Sequence, residues 1–135
     1  MDDGYEITTD DARADVDAIH AFLVDAYWSK GIARETVERS LRGSLNFHLL
    51  RDGAQVGLTR VISDRATFAY LADVYVLEEH RRHGLGRRLV ATAMAHPDVR
   101  GLRRWMLVTA DAHGLYAKLG FRPPERPERI MERLG

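Results

Sequence analysis

A mixed α/β (α+β) sheet with helices on both faces is the fold this sequence predicts, and three observations predict it. Residues 45 to 77 read as three consecutive strands joined by tight turns. Residues 84 to 120 read as helix, strand, helix; with the strand before them they make a βαβ unit. Residues 16 to 41 carry apolar side chains at helical spacing ahead of the sheet.

Each element has a local cause. Tyr5 to Thr9 alternates apolar and polar residues weakly, as a short strand does. Asp10 or Asp11 is a candidate N-cap. After it, Val16, Ile19, Leu23 and Ala26 share one helical face, so the helix is expected to end near Tyr27-Trp28, before Gly31. Arg34 to Leu41 is a shorter helical piece carrying Val37 and Leu41. Leu45 to Arg51 and Gln55 to Ser63 are strands around an Asp52-Gly53 hairpin turn. Asp64-Arg65 turns the chain again into Ala66 to Leu77, and the three strands are expected to pair antiparallel. Gly84 to His96 is a helix whose apolar side is Leu85, Leu89, Val90, Ala93 and Met94, and Pro97 follows its end. Leu102 to Thr109 is an apolar strand, and Ala112 to Leu119 a short helix stopped by Gly120. Phe121 to Glu132 is expected to hold one or two terminal strands broken by Pro123, Pro124 and Pro127.

The composition bounds function. A chain of 135 residues fits one domain, taken as residues 1–135, and 45% apolar content is enough for a sizeable core. No run approaches the ~20 apolar residues of a membrane span. The acidic start Met1-Asp2-Asp3-Gly4 is unlike a secretory signal. The sequence has no Cys, which excludes disulfides and a thiol nucleophile; cytoplasm is the expected compartment, and no membrane partner is expected. Twenty basic residues balance twenty acidic ones, which argues against nucleic-acid binding. His80-Arg81-Arg82-His83 and Arg87-Arg88 nonetheless concentrate positive charge around two glycines, a pattern suited to a small anionic ligand. His80 and His83 are too few for a zinc ligand set, so no metal is expected. His20 and His48 are expected at the surface or partly buried, without chemistry.

The segment from Val74 to Arg87 is the most informative. A strand ends, a basic loop follows, and Gly84 and Gly86 open a helix. The first turn of a helix offers unpaired N–H groups and a partial positive charge, and glycines let the backbone approach a phosphate closely. A third glycine, as in a dinucleotide fingerprint, is missing, and so is the Gly-Lys-Ser/Thr of a P-loop. What remains is Arg-x-x-Gly-x-Gly at Arg81, Gly84 and Gly86.

This pattern resembles the acetyl-CoA motif of the GNAT N-acetyltransferase superfamily, Arg/Gln-x-x-Gly-x-Gly/Ala after a central strand. Leu115-Tyr116-Ala117-Lys118-Leu119-Gly120-Phe121 is similar to the family's Tyr-x-x-x-Gly-Phe signature, at the expected distance downstream. The resemblance covers nearly the whole chain and looks like a small bacterial single-domain branch. It implies a central mixed sheet flanked by about four helices. It also implies acetyl-CoA as acyl donor, a small-molecule or peptide amine as acceptor, and a homodimer as a common assembly.

Residue by residue, the resemblance implies that the backbone of Val74, Tyr75 and Val76 holds the pantetheine arm as an added strand. Arg81, Arg82, His83, Gly84, Leu85, Gly86 and Arg87 would cradle the pyrophosphate, mostly through main-chain N–H groups. Thr109 stands where the family often has Asn and offers its hydroxyl. Tyr116 matches the family's general acid, placed to stabilise or protonate the departing thiolate. Many members use a Glu as base at the position of Tyr70, which cannot easily serve; Tyr70 and Asp73 are expected instead among the substrate-binding residues. Asp73 is near in sequence, but alternation puts it on the opposite face of the strand. Asp111, Glu78, His113 or a water chain are the other candidate bases. Tyr27 and Trp28 border the acceptor side, where exposed aromatics hold an ammonium by cation–π attraction; the competing reading packs both rings into the core. A domain that binds acyl-CoA without catalysis, and a protein-interaction or RNA-binding module built on the basic loop, are the rival classes.

Overall fold

The computed structural model describes residues 3–135 and shows a five-stranded mixed sheet in the order β1-β2-β3-β4-β5. The strands are β1 (Tyr5–Thr8), β2 (Leu45–Arg51), β3 (Ala54–Ser63), β4 (Phe68–Val76) and β5 (Arg104–Leu107). The first four run antiparallel to their neighbours. β5 returns parallel to β4 after a crossover through α3 (Leu85–Ala95). Helices α1 (Val16–Leu23) and α2 (Arg34–Arg42) precede the meander, and α4 (His113–Ala117) follows β5.

Helices cover both faces, as the sequence predicts. Leu85, Leu89, Val90 and Ala93 of α3 pack on Phe47, Leu49, Val61, Ala69 and Leu71. On the other face Ile19, Leu23, Val37 and Leu41 of α1 and α2 pack on Leu58 and Tyr75. The burial of these side chains, at about 1.5–3 kcal/mol each, sandwiches the sheet and makes it a rigid support for loops at its ends. Among the described residues no helix is long and apolar enough to cross a membrane.

Four local expectations are corrected. Asp10 caps only a 3-10 turn at Asp11–Arg13, and Asp15 caps α1 by accepting from the Ala18 N–H at 3.0 Å. α1 stops at Leu23 rather than near Trp28. The Ser29 hydroxyl donates to the Leu23 carbonyl at 2.7 Å and the Gly31 N–H to the Val24 carbonyl at 2.9 Å, so a turn replaces the next helical bonds. No strand forms after Phe121: three prolines lack the N–H that a ladder needs, and the segment is extended coil with one 3-10 turn at Pro127–Arg129. His48 is fully buried, not at the surface. Its Nε2 lies 2.7 Å from an Asp11 carboxylate oxygen and its Nδ1 3.1 Å from Gln55 Nε2.

Candidate active site

β4 and β5 share only four paired positions, ending at Leu71↔Leu107. Beyond that pair the strands separate. The main-chain groups of residues 72–76 that face away from β3 therefore have no strand beside them. Two clefts open from this split.

The first cleft, of about 710 Å³, runs from the head of α3 to Tyr116. Gly84 is the N-cap of α3 and sits in the left-handed region at φ +68°, a conformation that Cβ-bearing residues resist. Among the described residues no side chain caps this helix, and its first turn holds no acidic residue, so the Leu85, Gly86 and Arg87 N–H groups are free to meet an acceptor. Arg82 is also left-handed at φ +73°, which wraps the loop around the helix head. Arg81, Arg82, Arg87 and Lys118 line this cleft, with Asp111 the one carboxylate among its lining residues. The Arg81 Nε donates to the Val76 carbonyl at 2.8 Å, which ties the loop to the end of β4. Val74, Tyr75 and Val76 form the floor, and Phe22 stacks on Tyr75 with centroids 3.9 Å apart. Burial, with Asp73 and Asp15 adding to it, pushes the Tyr75 phenol well above its ordinary value.

His83 departs from this group. Its ring lies against Tyr5 at 6.4 Å rather than in the cleft, so only its main chain belongs to the loop. His80 is likewise turned away, with Nδ1 2.8 Å from the Tyr5 hydroxyl.

The second cleft, of about 430 Å³, is walled by Tyr27, Trp28, Ile62, Tyr70 and Val108. Tyr27 and Trp28 are 57% and 40% exposed, so they are not core residues. Both are nevertheless fixed. The Ala110 N–H donates to the Tyr27 hydroxyl at 2.9 Å, and the Trp28 indole N–H donates to Asp73 at 2.8 Å. Asp73 receives a second bond, from Arg60 Nε at 2.7 Å, in a largely buried ion pair.

Asp73 and Tyr70 line the same cleft, contrary to strict alternation. The register explains it. Arg60 pairs with Asp73 but Val61 pairs with Leu71, so Ala72 is the extra residue of a β-bulge and the side-chain phase reverses there. Arg60, which the sequence reading missed, is the bulge's other partner. Its only signal is an opposite charge across a hairpin whose register the bulge conceals.

The two clefts share Val74, Asp111, Ala112 and Tyr116 together with the Tyr27 and Trp28 rings. Tyr116 is 8% exposed, and burial first, then Tyr27 and Asp111, pushes its phenol up to about 12. Asp111 is exposed at this waist, whereas Glu78 and His113 line neither cleft. Thr109 caps the approach to α4, its Oγ1 accepting from the Ala112 N–H at 3.0 Å, and keeps one hydroxyl proton to donate. Among the described residues no group of three or more His, Cys, Asp or Glu side chains converges as a metal site.

Residues 43–123 match the acetyltransferase (GNAT) domain. The chain belongs to the GNAT acetyltransferase family. A curated protein of Gibberella zeae, assigned to the acetyltransferases, is 34% identical over 84% of this chain and 76% of its own length. A GNAT-family crystal structure from Xanthomonas campestris pv. campestris superposes with a TM-score of 0.94 at 49% identity, covering 97% of this chain and 93% of that one. A GNAT acetyltransferase from Elizabethkingia anophelis, solved with acetyl-CoA bound, shares the fold at 16% identity, with a TM-score of 0.69 over 98% of this chain and 89% of that one. Membership in the GNAT family makes this chain an acetyl-transferring enzyme.

Proposed function

We propose that the protein moves an acetyl group from acetyl-CoA directly onto a primary amine, within a single domain spanning residues 1–135 and in the cytoplasm. One observation carries the reading. A cationic cleft at an uncapped helix head meets an aromatic-walled cleft at one waist, and Tyr116 and Asp111 stand there. The N–H groups of Leu85, Gly86 and Arg87 take the pyrophosphate. The pantetheine arm runs along Val74 to Val76 in place of a strand, toward the waist, beyond which Thr109 lines the second cleft.

In the transfer, the ammonium form of the acceptor first loses a proton to a base, the neutral amine nitrogen bonds the thioester carbonyl carbon, and a second N–H proton is released to solvent. The C–S bond then breaks as the carbonyl reforms, and the sulfur departs with the electron pair. Asp111 is the base in this reading, because both Asp73 oxygens already accept hydrogen bonds. An amine of pKa ~10.4 arrives protonated at neutral pH, so the base matters most there. Asp111→Asn is expected to lower kcat/KM about a hundredfold at neutral pH. The deficit should shrink as pH approaches the amine's own pKa, because the amine then enters already neutral. Equal rates for the two proteins at neutral pH would remove Asp111 from the mechanism.

The second cleft's walls indicate the acceptor's body. Ile62 is 43% and Val108 80% exposed, beside the Tyr27 and Trp28 rings, while the Asp73 charge is already matched by Arg60. A monoamine with an apolar body fits these walls; a polyamine needs several free carboxylates. The test has two parts. Acetyl-CoA at about 100 times its Kd stabilises by ~2.7 kcal/mol, which at ~2.1 cal/mol/K per residue raises Tm by roughly 9 °C. Thiol release should then be faster with phenethylamine than with spermidine. No thermal shift refutes the cofactor site. A shift without thiol release leaves a binding module, and faster turnover of spermidine refutes the acceptor assignment.

A further inference from the structure

β5 is the last strand of the sheet, and among the described residues its outer edge faces no other strand. Apart from its ladder with β4, no backbone hydrogen bond among the described residues engages Arg104 to Leu107. A groove of about 630 Å³ lies between the start of this edge, at Arg104 and Trp105, and the segment after α4. Arg103, just before β5, and Arg104 line it on the strand side, and Arg122, Arg126 and Arg129 from the opposite wall, with Glu125 the one carboxylate in the lining. None of these five arginines makes an ion pair or a side-chain hydrogen bond within the described residues, whereas Arg13, Arg34, Arg60, Arg65 and Arg88 all have carboxylate partners.

Charged residues on a sheet edge commonly serve only to repel other edges. That role explains Arg103 and Arg104. It does not explain three more arginines converging from the facing wall, held there by a chain whose prolines keep it from occupying the edge itself.

We propose that this groove is a docking site for an acidic polypeptide segment, which adds to β5 as a sixth strand and places carboxylates on the arginines. Free main-chain groups recurring every ~3.3 Å match a peptide backbone, and arginine forks match carboxylates bidentately. Nucleic acid would use exposed aromatic faces for stacking, but Trp105 and Phe121 are packed against the core. The site is separate from both clefts at Tyr116 and does not depend on the transfer reaction.

The test is fluorescence anisotropy with a labelled, blocked peptide of about ten residues alternating glutamate and valine. Saturable binding is expected at about 0.05 M salt and should weaken at least tenfold by about 0.5 M. The double variant Arg104→Glu/Arg129→Glu should lose binding at least tenfold while keeping its acetyl-CoA thermal shift. A peptide of the same sequence N-methylated at alternate residues should also lose binding, since it keeps the charge but not the edge hydrogen bonds. Absence of saturable binding, equal binding of the N-methylated peptide, or equal binding of an oligothymidylate of matched charge would each overturn the proposal.

Discussion

Gly84→Val should cost at least a hundredfold in acetyl-CoA affinity, about 2.7 kcal/mol, while the protein stays folded. Two causes act together. Gly84 holds φ +68° and ψ 16°, where an L-residue pays roughly 1–2 kcal/mol and a β-branched one more. A Cβ built there meets no protein atom within 4 Å, so the added methyl groups enter cleft space rather than core. In the proposed site a pyrophosphate oxygen comes within ~2.9 Å of the N–H groups behind it. Either valine's branches stand in that path, or the loop flips to relieve strain and carries the N–H groups away. Gly86→Ala is the comparison. Its Cβ would meet only Leu115 Cδ2 at 3.7 Å, an ordinary contact, so its stability loss should be smaller. Calorimetric titration with acetyl-CoA, beside a thermal melt of each variant, decides the matter. Wild-type affinity in a folded Gly84→Val protein would move the cofactor elsewhere.

The legible parts of this fold are those whose cause is local. The Asp52-Gly53 turn is written in two residues that both take positive φ, 50° and 84°, as a tight two-residue hairpin requires. The glycine turn before α3 is equally local: strand, basic loop and left-handed Gly84 follow one another in sequence, and the cleft forms around them. What misled was decided by partners far along the chain. The apolar spacing of α1 continues through Ala26, yet Ser29 and Gly31 take the carbonyls at its end and leave Tyr27 and Trp28 outside the core. Nothing within residues 68–76 marks Ala72 as an extra residue; only its register against β3 does, and that register brings Asp73 to the Tyr70 side. His48 looks like an ordinary strand position, and its burial is tolerable only because Asp11 and Gln55 meet both ring nitrogens.

The same distinction governs Tyr116. Its sequence position picks it out, but its environment sets what it can do. Tyr116→Phe should lower kcat by about a hundredfold while leaving the acetyl-CoA Kd and Tm nearly unchanged. The ring packs at 8% exposure, edge-on to Phe121 with centroids 5.9 Å apart, and its hydroxyl bonds no other described residue, so removing the oxygen breaks no internal bond. A phenol held at about 12 is a poor proton source for a thiolate near ~8.5; full transfer is uphill by roughly 5 kcal/mol. In the proposed mechanism, Tyr116 therefore donates a hydrogen bond to the sulfur as negative charge develops there, and the proton stays on the phenol. The sign of the pH effect follows. Because burial raises the pKa, the donor stays protonated from acid pH up to about 12, so the wild-type to Phe rate ratio should be flat between about pH 6 and 10. A tyrosine acting with its ordinary pKa near ~10 would lose its proton at the top of that window, and the ratio would fall there. Single-turnover rates across the window separate the two cases. Equal turnover by the Phe variant, or a rate loss matched by an equal loss of acetyl-CoA binding, would reduce Tyr116 to a packing residue.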